Sequence, residues 1–127
     1  MGSRENITAA NIRDSHLKAK LFGEPQTQTL AADLTLAAAH PWIQVLDPGG
    51  AARNVDLPPE EEGLMFWIIN IADAAETITV REDAGVTTIC TVAGSAGGTT
   101  NQRALIVCAR NAAGALTWYA QVGADTA

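Results

Sequence analysis

The alternation of apolar and polar positions predicts short β-strands along most of the chain. The strongest run spans residues 64–71, and both of its faces are apolar. A strand of this kind is typical of the centre of a sheet, where both faces are covered. The preceding Gly63 and the β-branched and aromatic content of the run favour a strand over a buried helix.

Turn-forming residues separate the other apolar runs. Residues 53–57 alternate, and Pro58-Pro59 ends that run because proline cannot donate to a sheet ladder. Asp47-Pro48-Gly49-Gly50 is a similarly strong turn signal. The eight predicted strands are 27–36, 42–46, 53–57, 64–71, 76–82, 86–92, 103–110 and 116–122.

This spacing predicts an all-β fold. We expect an antiparallel β-sandwich or jelly-roll-like body of about eight strands over residues 27–127, preceded by an extended N-terminal arm, residues 1–26. Strands do not alternate with long helices, which disfavours a parallel α/β sheet. No internal repeat is obvious in the sequence.

Composition narrows the partners that we expect. The chain of 127 residues is long enough for one domain, and it carries 14 Asp and Glu against 8 Lys and Arg. The cations form no run, so we expect no nucleic-acid partner. No stretch is apolar enough to span a bilayer, and the N-terminus lacks the apolar centre of a signal peptide. We therefore expect assembly in a reducing cytoplasm, with Cys90 and Cys108 as free thiols.

The N-terminal segment differs in charge from the rest. Residues 1–24 have a net charge of +1 (4 − 3), and residues 25–127 have −7 (4 − 11). We interpret the segment as an arm that is mobile alone and ordered on a partner; the alternative is a tail without a role. Its candidate contact residues combine cations with apolar anchors: Arg4, Arg13, Leu17, Lys18, Lys20, Leu21 and Phe22.

No catalytic, metal or cofactor site is predicted. Ser95 and the distant His40 are the one nucleophile–base pair outside the arm, and no third group orients them. The glycine-rich residues 94–98 lack the Gly-Lys-Ser/Thr ending of a phosphate loop, which favours a long hairpin loop. Glu60-Glu61-Glu62 is interpreted as a solvated turn, since consecutive carboxylates point in different directions.

Three tryptophans are compatible with a sugar-stacking platform, but core or subunit-interface positions are favoured for all of them. Trp67 belongs to the central apolar run and is expected in the core. Trp118 and Tyr119 point to opposite faces of one strand, so we assign this pair to a candidate oligomer interface.

Residues 44–70 carry a resemblance to a known group of proteins. The order is Leu46-Asp47, a glycine-containing turn, Arg53-x-Val55-x-Leu57-Pro58, a polar spacer with Gly63, then Leu64-x-Phe66-x-Ile68-x-Asn70. This pattern resembles small β-structured virion proteins of tailed phages, and residues 29–33 are similar to their entry strand. The resemblance covers about residues 27–122 and does not include the arm.

The resemblance implies a structural function. It predicts a capsid decoration (cement) protein on the virion surface, a homotrimer that stabilises the head by bridging subunits of the major capsid protein. It would be assembled in the host cytoplasm, with no cofactor. The alternative is a head or tail fibre module that binds a receptor or glycan. Exposure of Trp118, Tyr119 and the 93–98 loop in one groove would favour recognition, and burial would favour the cement function.

Overall fold

The computed structural model describes residues 24–124, which form nine β-strands. Helix in this part of the chain is limited to 3-10 turns at Asp83–Gly85 and Ala96–Gly98, and none is long or apolar enough to cross a membrane. The strands are β1 Gln26–Thr29, β2 Leu34–Thr35, β3 Ile43–Asp47, β4 Arg53–Asp56, β5 Met65–Asn70, β6 Thr77–Arg81, β7 Thr88–Ala93, β8 Gln102–Arg110 and β9 Leu116–Ala124.

The strands form two mixed sheets. Sheet A has five strands in the order β1-β3-β5-β8-β9, and sheet B has four in the order β2-β4-β6-β7. β1, β3 and β5 are parallel to one another, as are β2, β4 and β6; the other pairs are antiparallel. The chain changes sheet after each of its first five strands. It therefore makes three coils, β1–β2, β3–β4 and β5–β6, and each coil adds one strand to each sheet.

The prediction of an all-β body is confirmed, but the prediction of antiparallel sheets is wrong for the four pairs among the first six strands, which are parallel. The short connection between Asp47 and Arg53 has the composition of a hairpin turn, yet it carries the chain from sheet A to sheet B. Each strand of one coil pairs with the corresponding strand of the next coil. After one full coil the chain runs in the same direction again, so these pairs are parallel. The predicted strand 27–36 is likewise divided between the sheets, as β1 and β2.

The buried faces of the two sheets share one hydrophobic core. Burial alternates along β3, β5 and β6, as period-two sequences require. Sheet A contributes Leu46, Phe66, Ile68, Ala104, Ile106, Cys108 and Trp118; sheet B contributes Val55, Ile78, Val80 and Val92; the connections add Leu30, Leu36 and Leu57.

The turn after β3 shows why glycine is needed there. The Gly49 N–H donates to Asp47 Oδ1 at 2.9 Å, which is the side-chain turn that the sequence indicates. Gly49 has φ of 77°, and a Cβ at this position would overlap the Leu30 carbonyl oxygen. The Leu30 N–H in turn donates to the Asp47 carbonyl at 2.7 Å. Glycine therefore lets the second coil pack closely on the first.

Strand β5 occupies the central position of sheet A, as its sequence predicts. Its core-facing residues Phe66, Ile68 and Asn70 are fully buried. The opposite residues Met65 and Trp67 are only half-buried, so the expectation that both faces are fully covered is wrong. The reason is that sheet B covers one side of sheet A, and no element among residues 24–124 covers the other.

Candidate functional site

An apolar surface lies on the side of sheet A that faces away from the core. We call it the outer face. The strand register aligns its side chains in three rows across the sheet. The rows are Ile43–Trp67–Leu105–Gln121, Thr27–Val45–Ile69–Arg103–Gly123 and Met65–Val107–Tyr119. The apolar members are half-buried or exposed, and Arg103 is the one charged residue in these rows.

Two tryptophans stack on the outer face. The rings of Trp42 and Trp67 are 6.2 Å apart between centroids, with 24° between their planes. Trp42 lies directly before β3 and Trp67 in the middle of β5, so the parallel pairing of these strands brings the indoles together. Offset stacking at this distance is favourable beyond the apolar area that it buries. The stack therefore favours one orientation of the two rings on the sheet.

A groove of about 400 Å³ runs from this tryptophan pair across the sheet. Its lining is largely apolar, with polar groups contributed by Arg103 on β8 and Gln121 on β9. The lining residues are Trp42, Met65, Trp67, Arg103, Leu105, Gln121, Val122 and Gly123. An apolar floor with a cation and an amide at one side can accept apolar side chains or the face of a ring.

The corresponding face of sheet B is polar, which makes the asymmetry of the molecule clear. Arg81 Nε and Nη2 donate to the two carboxylate oxygens of Asp56 at 2.7 and 3.1 Å. Hydrogen bonding to Asp56 raises the pKa of Arg81. Asp33 accepts from the backbone and side-chain amides of Asn54, which lowers the pKa of Asp33. The charged side chains of Asp33, Asp56 and Arg81 at sheet B thus have hydrogen-bond partners within the chain.

Buried amides hold the connection between β7 and β8. Asn101 Nδ2 donates to the carbonyls of Asn70 and Ala72, each at 2.8 Å. Ser95 Oγ donates to Asn101 Oδ1 at 2.9 Å and accepts from the Thr100 N–H. Ser95 is thus part of a structural network. The interpretation of residues 94–98 as a hairpin loop is wrong, because the connection joins sheet B to sheet A.

The other candidates from the sequence have local partners. His40 Nδ1 accepts from the Ala37 N–H at 2.8 Å, and Glu62 pairs with Arg110 at 3.3 Å on the surface. Among residues 24–124 no three His, Cys, Asp or Glu side chains are grouped to hold a metal ion. Cys90 and Cys108 are free thiols. Burial raises the pKa of Cys90 to about 11 and also raises the pKa of Cys108.

The residues predicted for partner contacts are placed very differently. Trp118 is 7% exposed and belongs to the core, whereas Tyr119 is 48% exposed on the outer face. These two side chains and the 93–98 loop therefore do not line one groove. The predicted contact residues of the arm lie outside the described residues: Arg4, Arg13, Leu17, Lys18, Lys20, Leu21 and Phe22.

Trp67 is half-buried on the outer face, so the expectation that it lies in the core is wrong. The signal was present in the second apolar set of β5, Met65, Trp67 and Ile69, which was interpreted as covered rather than as available to a partner. No family model, curated protein or solved structure matches this chain.

Proposed function

We propose that this chain is a structural protein of a tailed-phage virion, a capsid decoration protein whose copies associate through the outer face. The virion assignment rests on the resemblance of residues 44–70. The observation that carries self-association is the apolar outer face with the stacked Trp42 and Trp67. A contiguous apolar patch of this kind is typical of a protein–protein interface.

The distribution of charge supports this choice of surface. Residues 24–124 carry 4 cations and 11 anions, a net charge of −7 (4 − 11), so two copies repel each other at most orientations. On the outer face Arg103 is the one charge in the aligned rows. Association there buries apolar area, which stabilises the complex by about 25 cal/mol per Å². It does so without bringing carboxylates together. Sheet B, with its paired Asp56 and Arg81, offers no comparable gain.

The two sheets with one shared core support a β-sandwich for the body. In the proposed particle this stiff body forms a homotrimer, as the resemblance implies. Three bodies would present three arms, residues 1–26, to subunits of the major capsid protein. Linked weak contacts of this kind can raise the overall affinity by about 10²–10⁴. A trimer also fits a three-fold position of a capsid.

The groove beside Trp67 favours one alternative, a fibre module that binds a glycan. Sugars present apolar ring faces to indoles and hydroxyls to polar side chains, and Arg103 and Gln121 supply the polar groups here. The groove is part of the outer face, so self-association and glycan binding would compete for it.

Two measurements test the proposal. Light scattering coupled to size exclusion should give about 40 kDa for the wild type, three times 13.2 kDa. Trp67→Arg should give a monomer, whereas the matched Thr79→Arg on the polar face of sheet B should keep the wild-type mass. A monomeric wild type at micromolar concentration would contradict the proposal.

Electron microscopy of the parent particle tests the location. Density for the protein on the capsid surface is the expected result. Density at a fibre, together with glycan binding that Trp67→Ala abolishes, would favour the alternative. Absence of the protein from the particle would refute both.

A further inference from the structure

Strand β9 is a long edge of sheet A, and its residues 119–124 have no protection within residues 24–124. It has nine residues, Leu116–Ala124, and among these residues it pairs only with β8. Its sequence contains no charge and no proline. From Tyr119 onward every described residue is exposed, including Val122 at 40% on the side that faces the core elsewhere. The end of β9 thus projects beyond the cover of sheet B.

Natural proteins protect free edges by shortness, charge, proline or a covering element. The edge β2 of sheet B has only two residues, and the edge β7 lies beside β8 and β9 of the other sheet. Neither kind of protection applies to residues 119–124. An uncharged, exposed edge of this length is a template for another strand, and its backbone groups supply the hydrogen bonds.

The opposite edge of sheet A has matching properties. Strand β1 comprises Gln26–Thr29, is uncharged, and pairs among residues 24–124 only with β3. Its four residues compare with six in the exposed part of β9, residues 119–124. Within residues 24–124, sheet A therefore has two uncharged free edges, one on each side.

The hydrogen-bond pattern identifies the free amides of both edges. The Asn111 N–H donates to the Ala115 carbonyl. On the other side of β8, the Cys108 N–H donates to the Leu64 carbonyl and the Cys108 carbonyl accepts from the Gly63 N–H, directly before β5. By the alternation of an antiparallel ladder, the backbone groups of Ala120 and Val122 then point away from β8.

The same reasoning applies to β1. The Leu30 N–H donates to β3 through the Asp47 carbonyl, so the amides of alternate residues, Gln28 and Gln26, also face β3. The Thr27 and Thr29 amides point to the free edge. Val122 and Thr27 thus each present a backbone N–H that the chain's own sheet does not use.

We propose that β9 of each copy pairs with β1 of the next copy, so that three A sheets join edge to edge around a three-fold axis with their outer faces inward. This proposal rests on the proposed trimer. β9 and β1 run in the same direction within sheet A, and rotation about an axis along the strands preserves that direction. The joining pair is therefore parallel, and closure of the ring leaves sheet A without a free edge.

The dimensions fit this arrangement. Five strands span about 24 Å at a spacing of ~4.8 Å, so in a triangle of three sheets each sheet centre lies about 7 Å from the axis. Packed sheets ordinarily lie about 10 Å apart, or about 5 Å from their midplane, so the space admits one layer of large side chains. The central strand β5 supplies Met65, Trp67 and Ile69 there.

The corners of the triangle favour small side chains, because two sheets converge there. In the row through Ile69, the corner residues are Thr27 on β1 and Gly123 on β9. In this row the large residue is central and the edge residues are small, which suits the packing; Tyr119, on β9 in the row through Met65, is a large side chain at a corner.

Proline substitutions at the free amides test the pairing. Val122→Pro and Thr27→Pro each remove one edge-facing N–H but no hydrogen bond within the chain's own sheet, and proline is tolerated on edge strands. The matched controls Val122→Thr and Thr27→Val keep the N–H. We expect trimers for the wild type and both controls. Each proline variant should be a monomer by light scattering, with a wild-type circular dichroism spectrum.

Hydrogen exchange gives an independent readout on the unaltered chain. The amides of Ala120 and Val122 should exchange at least tenfold more slowly in the wild-type trimer than in the Thr27→Pro monomer. Rapid exchange of these amides in the wild-type trimer would overturn the pairing, even if a proline variant failed to fold.

The outcomes separate this proposal from the proposed function. Proline variants that remain trimers would overturn the strand pairing and leave association through the outer face in place. Dissociation by Val122→Pro but not by Thr27→Pro would exclude β1 as the partner strand. A monomeric wild type would overturn the trimer and the pairing together.

Discussion

Ile68 and Ile69 are adjacent in β5, yet they lie on opposite sides of sheet A. Ile68 is fully buried in the shared core, and Ile69 is half-buried on the outer face between Val45 and Arg103. One strand thus contributes both to the stability of the body and to the surface assigned to association.

This relationship predicts different effects for the same substitution at the two positions. Ile68→Asp places an unpaired charge in the core and should lower the free energy of unfolding by about 4 kcal/mol or more. Ile69→Asp should lower it by only about 1 kcal/mol, because the carboxylate can reach solvent. Urea unfolding, at concentrations at which the proteins are monomers, measures the free energy of unfolding of both variants. Equal losses would contradict the two-sided assignment of β5.

The amide network around Asn101 is expected to stabilise the connection between the sheets. Asn101→Ala removes both donations to the carbonyls of Asn70 and Ala72 in a buried site. The loss should be about 2–3 kcal/mol by urea unfolding, against about 1 kcal/mol for Ser95→Ala, which removes less buried contacts of the same network. A neutral Asn101→Ala would mean that other donors, such as water, satisfy these carbonyls.

Asp33 should make stability depend on pH in the acid range. The amides of Asn54 lower its pKa in the folded state below the ordinary value of 3.8. As pH falls below 3.8, the unfolded chain binds a proton before the folded protein does, so the stabilisation is lost as pH falls through the folded pKa. The melting temperature of the wild type should exceed that of Asp33→Ala above about pH 5, and the difference should shrink towards pH 2. A difference that is independent of pH would contradict this role.

Cys90 should react slowly with alkylating reagents in the folded protein. Burial raises its pKa from the ordinary 9.0 to about 11, which lowers the thiolate fraction at pH 8 by about a hundredfold. The reaction rate of a Cys108→Ala variant, which leaves Cys90 as the one thiol, should rise as pH increases towards 11. Denatured wild-type protein without reductant should titrate two thiols per chain. A titration of none would reveal a disulfide.

The sequence predicted the elements better than their partners. Alternation such as that of Ile78 and Val80 determines which side chains face the core, and Pro58 or Gly49 determines where a strand ends. Neither feature identifies the neighbouring strand. The connection from Asp47 to Arg53 is equally suited to a hairpin and to a step between sheets, so parallel pairing was missed.

The outer face was missed for a related reason. A strand with apolar residues on both sides is compatible with cover by its own chain or by another copy. Met65, Trp67 and Ile69 have the composition of core residues, and only the placement of sheet B reveals that the chain does not cover them. The stacking of Trp42 on Trp67 depends on the parallel register, which composition does not encode.

The alternation of the first six strands between sheets has a consequence for folding. Neither sheet is a continuous piece of chain. Along the sequence, β2 and β4 lie between the parallel strands of sheet A, and β3 and β5 lie between those of sheet B. No fragment can therefore complete one sheet while the other is absent. Loop closure over many residues must precede most of the strand pairing, which slows folding relative to hairpin-built β proteins. We expect one cooperative unfolding transition, with both sheets lost together.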